Sequence, residues 1–326
     1  MAGAARYIAR RLVQVVITII FVLALNFLII NLAPGNPVRY MAGEYAVSDP
    51  AYLEAMTKRW GLDKPLPERF ITYMSRLIQG DFGYSYRYTA SVTVLIAERI
   101  IPTLLLTLTS LPIGFIVGIF LGAFSARKFP SKTDAGLSFV TLFFYSMPVF
   151  WFAILMIVIF SVNLRFFPVA GMLNPRAGYT GLNYWLDVLY HLILPASVLA
   201  VGAYAPVFYK VTRSSVLEQS SEEYVSTFQS YGLRRSKIFR KYILRNALLP
   251  PITIFGISLG FVLTGAALTE TVFAWPGIGR LMLDAANYRD YPLLMGIYLI
   301  MAIGVTVASF LTDIIYMLLD PRVKYK

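Results

Sequence analysis

The chain has 326 residues, of which 58% are hydrophobic and 14% charged, with a net charge of +12. A soluble domain averages about 45–50% apolar and about 25% charged residues, so this composition indicates a membrane-embedded protein rather than the two or so soluble domains that the length alone would suggest. The chain has no cysteine and one histidine, His191, which excludes disulfides, cysteine nucleophiles, Cys-ligated metal centres and multi-histidine metal sites.

Six apolar runs are long enough to cross the hydrocarbon layer, which takes about 18 or more helical residues. Prolines inside these runs do not argue against spans, because transmembrane helices tolerate them. The first run follows three arginines but is too long for the hydrophobic region of a signal peptide and has no small-residue cleavage site after it, so we interpret it as a retained helix. The predicted spans are Leu12–Leu32, Ile100–Ala126, Gly136–Val162, Leu192–Val211, Leu248–Thr269 and Pro292–Leu319.

The distribution of charge predicts the orientation. With the N-terminus inside, the inner segments hold 17 of the 29 basic residues but only 6 of the 17 acidic residues, so nearly all of the net charge lies on one face. This is the positive-inside pattern of membrane proteins, and we favour it over nucleic-acid binding as the source of the charge. The sequence therefore predicts an all-α polytopic protein with six transmembrane helices and both ends inside.

The external segment at residues 33–99 is too long for a connector and carries two helix patterns. Asp49 followed by Pro50 begins the first, and Gly61 ends it. The second is ended by Gly80 and has an apolar stripe at helical spacing, formed by Leu66, Phe70, Tyr73, Met74, Leu77 and Ile78. We expect a small external domain between the first helix, residues 1–32, and a five-helix core, residues 100–326.

The inner loop at residues 212–247 contains a short helix with signals at both ends. Ser220 and Glu223 form a capping-box pattern at its start, and Gly232 supplies a left-handed stop at its end. The apolar side chains between them fall on one side at helical spacing: Tyr224, Val225, Phe228 and Tyr231. The loop is therefore predicted to hold a self-contained helix at residues 221–231, followed by a basic amphipathic stretch at 233–246 that can lie on the anionic inner leaflet.

An apolar helix face exposed to the cytosol is unfavourable unless something covers it. One interpretation is that the helix folds back against the inner membrane surface. The other is that it docks into a groove of a cytosolic partner. Local sequence leaves both open.

Several motifs, in order along the chain, resemble one family. The inner loop carries Glu223-Tyr224-Val225-Ser226-Thr227, then Gly232-Leu233, then Leu244-Arg245-Asn246-Ala247-Leu248-Leu249-Pro250, and other segments agree, among them Gly80-Asp81-Phe82-Gly83, Ser146-Met147-Pro148 and Trp275-Pro276-Gly277. The set resembles binding-protein-dependent ABC importer permeases of the dipeptide/oligopeptide type, and specifically the first permease, with its large external segment. In two departures, Phe228 stands where the family usually has a small residue, and Ser309 stands where it often has Asn.

The resemblance implies a type I ABC importer permease fold in the plasma (inner) membrane. It implies a second homologous permease, two cytosolic ATPase subunits that bind ATP and Mg, and an external solute-binding protein, with no cofactor in this chain. The solute would be a di- or oligopeptide, with oligosaccharides or nickel as alternatives. The residues implied to dock to the ATPases are Glu223, Tyr224, Val225, Thr227, Phe228, Gly232 and Leu233, and Phe228 would alter the fit to the ATPase groove.

The sequence contains no Ser/His/Asp set, no paired catalytic carboxylates and no phosphate-binding Gly-Lys loop. We therefore expect a permease that is not itself an enzyme, with ATP bound by other chains. An ion-coupled secondary transporter would need midplane ionisable residues and repeat symmetry, which the sequence does not show clearly. A receptor or structural subunit without a solute path is a further alternative.

Candidates for the solute path are the polar or adaptable residues in or near spans: Asn26, Ser146, Met147, Phe150, Thr264 and Glu270. For Asn26 and Thr264, we favour hydrogen bonds between helices over contacts with the solute. His191 is interpreted as a capping or interfacial residue, and Asp313 as a locally paired one. Glu270 and the turn at residues 275–277 form a gate, a contact for the binding protein or an ordinary tight turn.

Overall fold

In the computed structural model of the protein, residues 2–32, 54, 57–58 and 63–319 are described, with side chains for 10–29, 31–32, 54, 57–58 and 63–310. Of the helix predicted between Asp49 and Gly61, the structure describes residues 54, 57 and 58, which are helical; the rest of that helix and the side chain of Asp313 lie outside these ranges. The described residues are helical apart from turns, loops and one short hairpin, so the all-α prediction is confirmed.

The elements follow in chain order. The helices are α1 (Ala2–Leu32), α2 (Leu66–Ile78), α3 (Val92–Arg127), α4 (Lys132–Ser146), α5 (Val149–Met156), α6 (Gly181–Leu199), α7 (Ala205–Ser220), α8 (Glu223–Ser230), α9 (Arg235–Ile238), α10 (Leu244–Ala247), α11 (Leu249–Gly260), α12 (Ala267–Val272), α13 (Ile278–Asn287) and α14 (Tyr291–Leu319). Strands β1 (Tyr84–Ser85) and β2 (Ala90–Ser91) pair antiparallel, with Tyr84 opposite Ser91. The π-helical segment Ile157–Asn163 continues α5, Ala200–Tyr204 joins α6 to α7, and Phe239–Ile243 joins α9 to α10, while Val262–Thr264 forms a 3-10 turn.

Five helical segments in the described ranges are long and apolar enough to span a membrane, and a sixth exists only if a bent pair is counted as one span. The bent pair is the third predicted span: α4 and the helix from Val149 to Asn163 meet at 100°. Pro148 causes the break, because it lacks an N–H and forces Met147 into an extended conformation (ψ 129°). The third predicted span is therefore bent at Pro148, and with the bent pair counted as one span the described residues hold the six predicted spans.

Two spans run well beyond their predicted limits. Val92–Arg127 has 36 residues and Gly181–Ser220 has 40, which at helical rise are about 54 and 60 Å long, against about 30 Å of hydrocarbon. The extensions carry polar residues, so a search for apolar runs does not detect them. Because of them, α3 begins on the predicted outer side, and α7 continues past the predicted inner boundary to Ser220.

The fifth span also starts earlier than predicted. The basic stretch predicted as a separate surface helix is continuous with the span, which runs from Arg235 to Gly260. Pro250 and Pro251 do not interrupt it, because they lie in the first turn of α11, where a missing N–H costs little.

The chain divides into two compact units, the first formed by residues 1–103, 263–267 and 277–326. Its core joins the start of α3 to α13 and α14 through Val92, Leu95, Ile96, Ile278, Leu281, Ala285, Leu293, Leu294 and Ile297. Asp290, which is buried, accepts hydrogen bonds from Ser85 Oγ at 2.5 Å and from the Arg87 N–H at 3.2 Å. These bonds fix the hairpin to the turn that precedes α14.

The second unit, residues 104–262 and 268–276, contains a close approach of α3 to the helix that includes α7. Gly114, Gly118 and Gly122 recur every four residues on α3. A Cβ on Gly118 would lie 2.6 Å from Phe208 Cβ and 2.7 Å from Ala205 O. The two helices therefore pack backbone against backbone, which is the small-residue packing that is common in membranes.

Candidate functional site

Helix α8 is the short inner helix predicted from the sequence, and its C-terminal end has the predicted geometry. Gly232 adopts a left-handed conformation with φ +74°. The Gly232 N–H donates to Gln229 O at 2.9 Å, and the Leu233 N–H donates to Phe228 O at 3.1 Å. This pair of bonds is a Schellman motif, which satisfies the last carbonyls of the helix. The predicted glycine stop is confirmed.

The predicted start of the helix was wrong. Ser220 is the last residue of α7, and its hydroxyl donates back to Val216 O at 2.6 Å instead of capping α8. Glu222 occupies the N-cap position, and within the described residues its side chain forms no hydrogen bond that caps α8. The capping box fails because α7 continues as a helix through Ser220, and serine in a helix bonds to the preceding turn. Helix α8 therefore covers eight residues, 223–230, rather than about eleven.

The apolar side of α8 packs against the same chain. Val225 is 7% exposed and belongs to a buried cluster with the inner ends of α3 and α7 and the first turns of the fifth span: Ala123, Ala126, Val216, Ile238, Ile243 and Ala247. The centroids of the Phe228 and Tyr242 rings lie 4.2 Å apart, and the Tyr224 hydroxyl donates to Gln219 Oε1 at 3.0 Å. Helix α8 is therefore fixed to its own chain along its apolar length.

The opposite side of α8 is polar and exposed. Its exposed residues are Glu222, Glu223, Ser226, Thr227, Gln229 and Ser230, and Tyr231 at the C-terminal end is 76% exposed. Because the apolar side packs against the same chain, the polar side is the part of α8 that is open to a partner, and docking of α8 to an ATPase stays a prediction. Among the residues predicted to dock, Glu223, Thr227 and Gly232 are exposed, Val225 is buried, and Tyr224, Phe228 and Leu233 are half-buried. Phe228 packs against the buried cluster of its own chain, and its effect on the fit to an ATPase groove stays a prediction.

A buried polar cluster, here called the inner clamp, lies in the same unit and was missed from the sequence. Asp134 in the first turn of α4 is 5% exposed. Arg213 of α7 donates from Nε to Asp134 Oδ1 at 2.7 Å and from Nη2 to Oδ2 at 2.8 Å. Ser125 Oγ of α3 donates to Asp134 Oδ1 at 2.6 Å and lies 2.7 Å from the Tyr209 hydroxyl. The bidentate geometry is strong and directional, so the clamp joins α3, α4 and α7.

One sequence signal could have found the start of the inner clamp. Ser131 and Asp134 have the Ser-x-x-Asp spacing of a helix N-terminus before an apolar run. In the structure the Asp134 N–H donates to Ser131 Oγ at 3.2 Å. The pairing of Asp134 with Arg213, 79 residues away, had no sequence signal.

The candidate residues of the solute path lie at several places. Ser146, Met147 and Phe150 surround the bend at Pro148; Ser146 and Phe150 are exposed, and Met147 is half-buried. Asn26 is half-buried on α1, and Thr264 is half-buried in the 3-10 turn. Glu270 is fully buried in α12, and its carbonyl accepts a hydrogen bond from the Trp275 N–H at 2.7 Å. Their role in solute passage stays a prediction.

His191 is buried within α6, where its Nδ1 lies 2.8 Å from Asp187 O and 3.4 Å from Asp187 Oδ1. These contacts are local to one helical turn. Across the described ranges, no group of three or more His, Asp or Glu side chains is arranged to hold a metal ion.

Comparisons with known proteins cover nearly the whole chain. The model of the family "Binding-protein-dependent transport system inner membrane component" matches residues 114–325, and the corresponding N-terminal model, "Binding-prot-dependent transport system membrane comp, N-term", matches residues 4–107. The di/tripeptide transport system permease protein DppB of Pseudomonas aeruginosa is 38% identical, over 98% of this chain and 99% of its own length. The oligopeptide transport system permease protein AppB of Bacillus subtilis is 36% identical, over 98% of this chain and 100% of its own.

A solved structure has the same fold. A chain of the MetNI methionine ABC transporter, in an inward-facing conformation, matches with a TM-score of 0.54 and 20% identity, over 69% of this chain and 96% of its own length. At this identity the likeness concerns the fold alone.

Proposed function

This chain belongs to the binding-protein-dependent transport system inner membrane components, and we propose that it forms, with a second permease, a path for di- and oligopeptides across the plasma (inner) membrane. It is a multi-pass, non-enzymatic permease subunit with the type I ABC importer fold. The peptide class is supported by relatives that are 35–38% identical over 98% of the chain and are named as di/tripeptide, dipeptide, oligopeptide or glutathione permeases. None of these names supports the oligosaccharide or nickel alternatives.

Family membership implies partners in general, and we assign them as follows. A homologous second permease completes the path, two cytosolic ATPase subunits bind ATP and Mg, and an external solute-binding protein delivers the peptide. The exposed side of α8 is the surface that the ATPases contact. Its polar and acidic character suits a surface that binds a soluble protein reversibly, since such interfaces resemble ordinary protein surface in polarity.

The single observation that carries this proposal is the way in which α8 is held. Its apolar side packs against the inner ends of three helical segments, and its C-terminal end is closed by the Schellman motif at Gly232. A force applied to the exposed side therefore moves those segments with α8. The inner clamp extends this connection to α4, through the contact between Asp134 and Arg213. ATP-driven closure of the ATPases would then be transmitted from α8 to α3, α4 and α7.

Reconstitution tests the proposed function. The chain, its partner permease and the ATPases are placed in proteoliposomes, and uptake of a labelled dipeptide is measured with ATP and the binding protein. We expect uptake only when all components and ATP are present. Uptake by this chain alone, driven by an ion gradient, would contradict the proposal, and so would ATP-dependent uptake of an oligosaccharide or nickel without uptake of peptide.

A further inference from the structure

The first unit contains a cavity of about 350 Å³ that combines apolar and cationic walls. Phe27, Pro292 and Met295 contribute apolar surface, and Arg69, Arg76 and Tyr73 contribute polar groups. This cavity, here called the outer cavity, is not needed for the role of α8. Its lining has the composition of a site for an amphipathic anion.

The charges around the outer cavity are only partly paired. Lys58 forms an ion pair with Glu54 at 2.8 Å, and Lys64 forms one with Glu68 at 3.7 Å. Arg69 and Arg76 have no acidic partner within 4 Å among the residues that the structure describes. Asp81, the acidic residue in the lining, accepts a hydrogen bond from the Gly83 N–H at 2.9 Å.

Arg69 is half-buried, and burial lowers the pKa of its guanidinium below the usual value. A guanidinium that has lost part of its hydration is stabilised by an anion, and its fork of N–H donors matches the oxygens of phosphate.

Tyr73 adds a hydrogen-bond donor to the same wall. Its hydroxyl is buried, and no described residue accepts or donates a hydrogen bond to it. The ring stacks on Phe27 with centroids 6.0 Å apart. Burial raises the pKa of Tyr73 far above physiological pH, so the hydroxyl stays protonated and can donate to an anion. A buried hydroxyl without a partner is unfavourable, which a bound oxyanion would correct.

The position of the cavity suggests the source of the anion. Phe27 lies near the end of the apolar part of α1, and Pro292 and Met295 lie in the first turns of α14. In the predicted orientation, this end of α1 and this end of α14 are the outer ends of their spans, at the level where hydrocarbon meets lipid headgroups. Leu28 and Ile29 beside Phe27 are exposed and offer apolar surface for acyl chains. We propose that the outer cavity binds a phosphate group, supplied by an anionic phospholipid of the outer leaflet.

Lipid retention tests the inference. The full-length chain is placed in nanodiscs of phosphatidylcholine with or without phosphatidylglycerol, released into detergent, and analysed by native mass spectrometry. We expect the wild-type protein to retain phosphatidylglycerol selectively. The Arg69→Gln/Arg76→Gln variant should lower retention about tenfold or more, and Tyr73→Phe about threefold, because charge-assisted hydrogen bonds contribute more than neutral ones.

A matched control removes the same charge elsewhere. Arg165 and Arg176 are exposed on the loop after α5, so Arg165→Gln/Arg176→Gln should retain the lipid as the wild type does. Inorganic phosphate distinguishes a lipid headgroup from free phosphate as the ligand. If the wild type binds phosphate, the cavity variant does not, and neither retains phosphatidylglycerol selectively, the site is one for free phosphate. Equal lipid retention and equal phosphate competition in the cavity variant, the control and the wild type would overturn the inference. The inference would also be overturned if the cavity variant retained phosphatidylglycerol as the wild type does and lost only the stimulation of transport by the binding protein.

Discussion

Two helices that lie outside the spans, α8 in the second compact unit and α2 in the first, differ in how they are held. Helix α2 has 13 residues, an apolar stripe and Gly80 at its end, yet none of its residues is buried as a whole, although the Tyr73 hydroxyl is buried and the Tyr73 ring stacks on Phe27 of α1. Helix α8 has eight residues, but Val225 is buried and Tyr224 and Phe228 contact other helices. Isolated helices of either length are marginal, so packing rather than length or amphipathicity decides which helix can transmit force.

The same difference extends to the ion pairs of the two regions. The inner clamp is a buried bidentate pair, whereas Lys64 and Glu68 on the outer side are an exposed pair at 3.7 Å. Buried pairs are costly to break, and exposed pairs contribute little. The inner side should therefore be sensitive to single substitutions that the outer side tolerates.

The largest effect is expected from Asp134→Ala, which leaves the Arg213 guanidinium without its carboxylate. Removing one partner of a buried pair costs about 3–5 kcal/mol, and since Arg213 is partly exposed we expect the lower end of this range. Thermal unfolding of the purified protein measures the change. A variant as stable as the wild type would show that the inner clamp does not hold α3, α4 and α7 together.

Gly118→Ala tests the close packing of α3 on the helix that includes α7. The new Cβ would lie 2.6 Å from Phe208 Cβ, so the backbones must separate, at about 1–3 kcal/mol. Gly136 on α4 is the matched control, because within the described residues nothing lies within 4 Å of its added Cβ. Gly136→Ala should leave the unfolding temperature unchanged or raise it slightly. Equal effects of the two substitutions would refute the close packing.

Gly232→Val should weaken the end of α8 and separate ATP hydrolysis from transport. A residue with a side chain in the left-handed conformation costs about 1–2 kcal/mol, and a β-branched one is the least tolerated there. We expect ATPase activity to persist while peptide transported per ATP falls. Gly232→Asn, which tolerates positive φ, should keep most of the coupling. Full coupling in the valine variant would reject the role of α8.

The smallest effect is expected on the outer side. Glu68→Gln removes the exposed pair with Lys64 and should change the free energy of unfolding by less than about 1 kcal/mol. Chemical denaturation of the variant beside Asp134→Ala makes the comparison direct. If Glu68→Gln lowered the free energy of unfolding as much as Asp134→Ala does, the buried and the exposed ion pair would not differ in their contribution to stability.

Several features could be predicted from the sequence because they depend on local chemistry. Apolar runs located the spans, and Gly80 and Gly232 marked helix ends, since both positions need positive φ. Pro148 was treated as tolerable within a span, but the two halves of that span meet at 100°. Whether a proline kinks a span or is accommodated depends on its neighbours in space.

The features that escaped prediction depend on distant contacts. The apolar stripe of α8 was visible, but which surface covers it depends on residues as far away as Ala123 and Ala247. The inner clamp joins Asp134 to a residue 79 positions along the chain, and the glycines on α3 were not recognised as a packing surface. The polar extensions of α3 and α7 were missed because the search selected apolar residues.

Site-specific crosslinking tests the role of α8 most directly, and the chain contains no native cysteine. Single cysteines are introduced at the exposed positions Thr227 and Ser230 and at the buried position Val225, and the assembled transporter is treated with a short bifunctional reagent. We predict that Thr227→Cys and Ser230→Cys trap an ATPase subunit and that Val225→Cys does not. If the exposed positions trap only lipid or helices of the same chain, or if Val225→Cys traps the ATPase equally well, the polar side of α8 is not the docking surface.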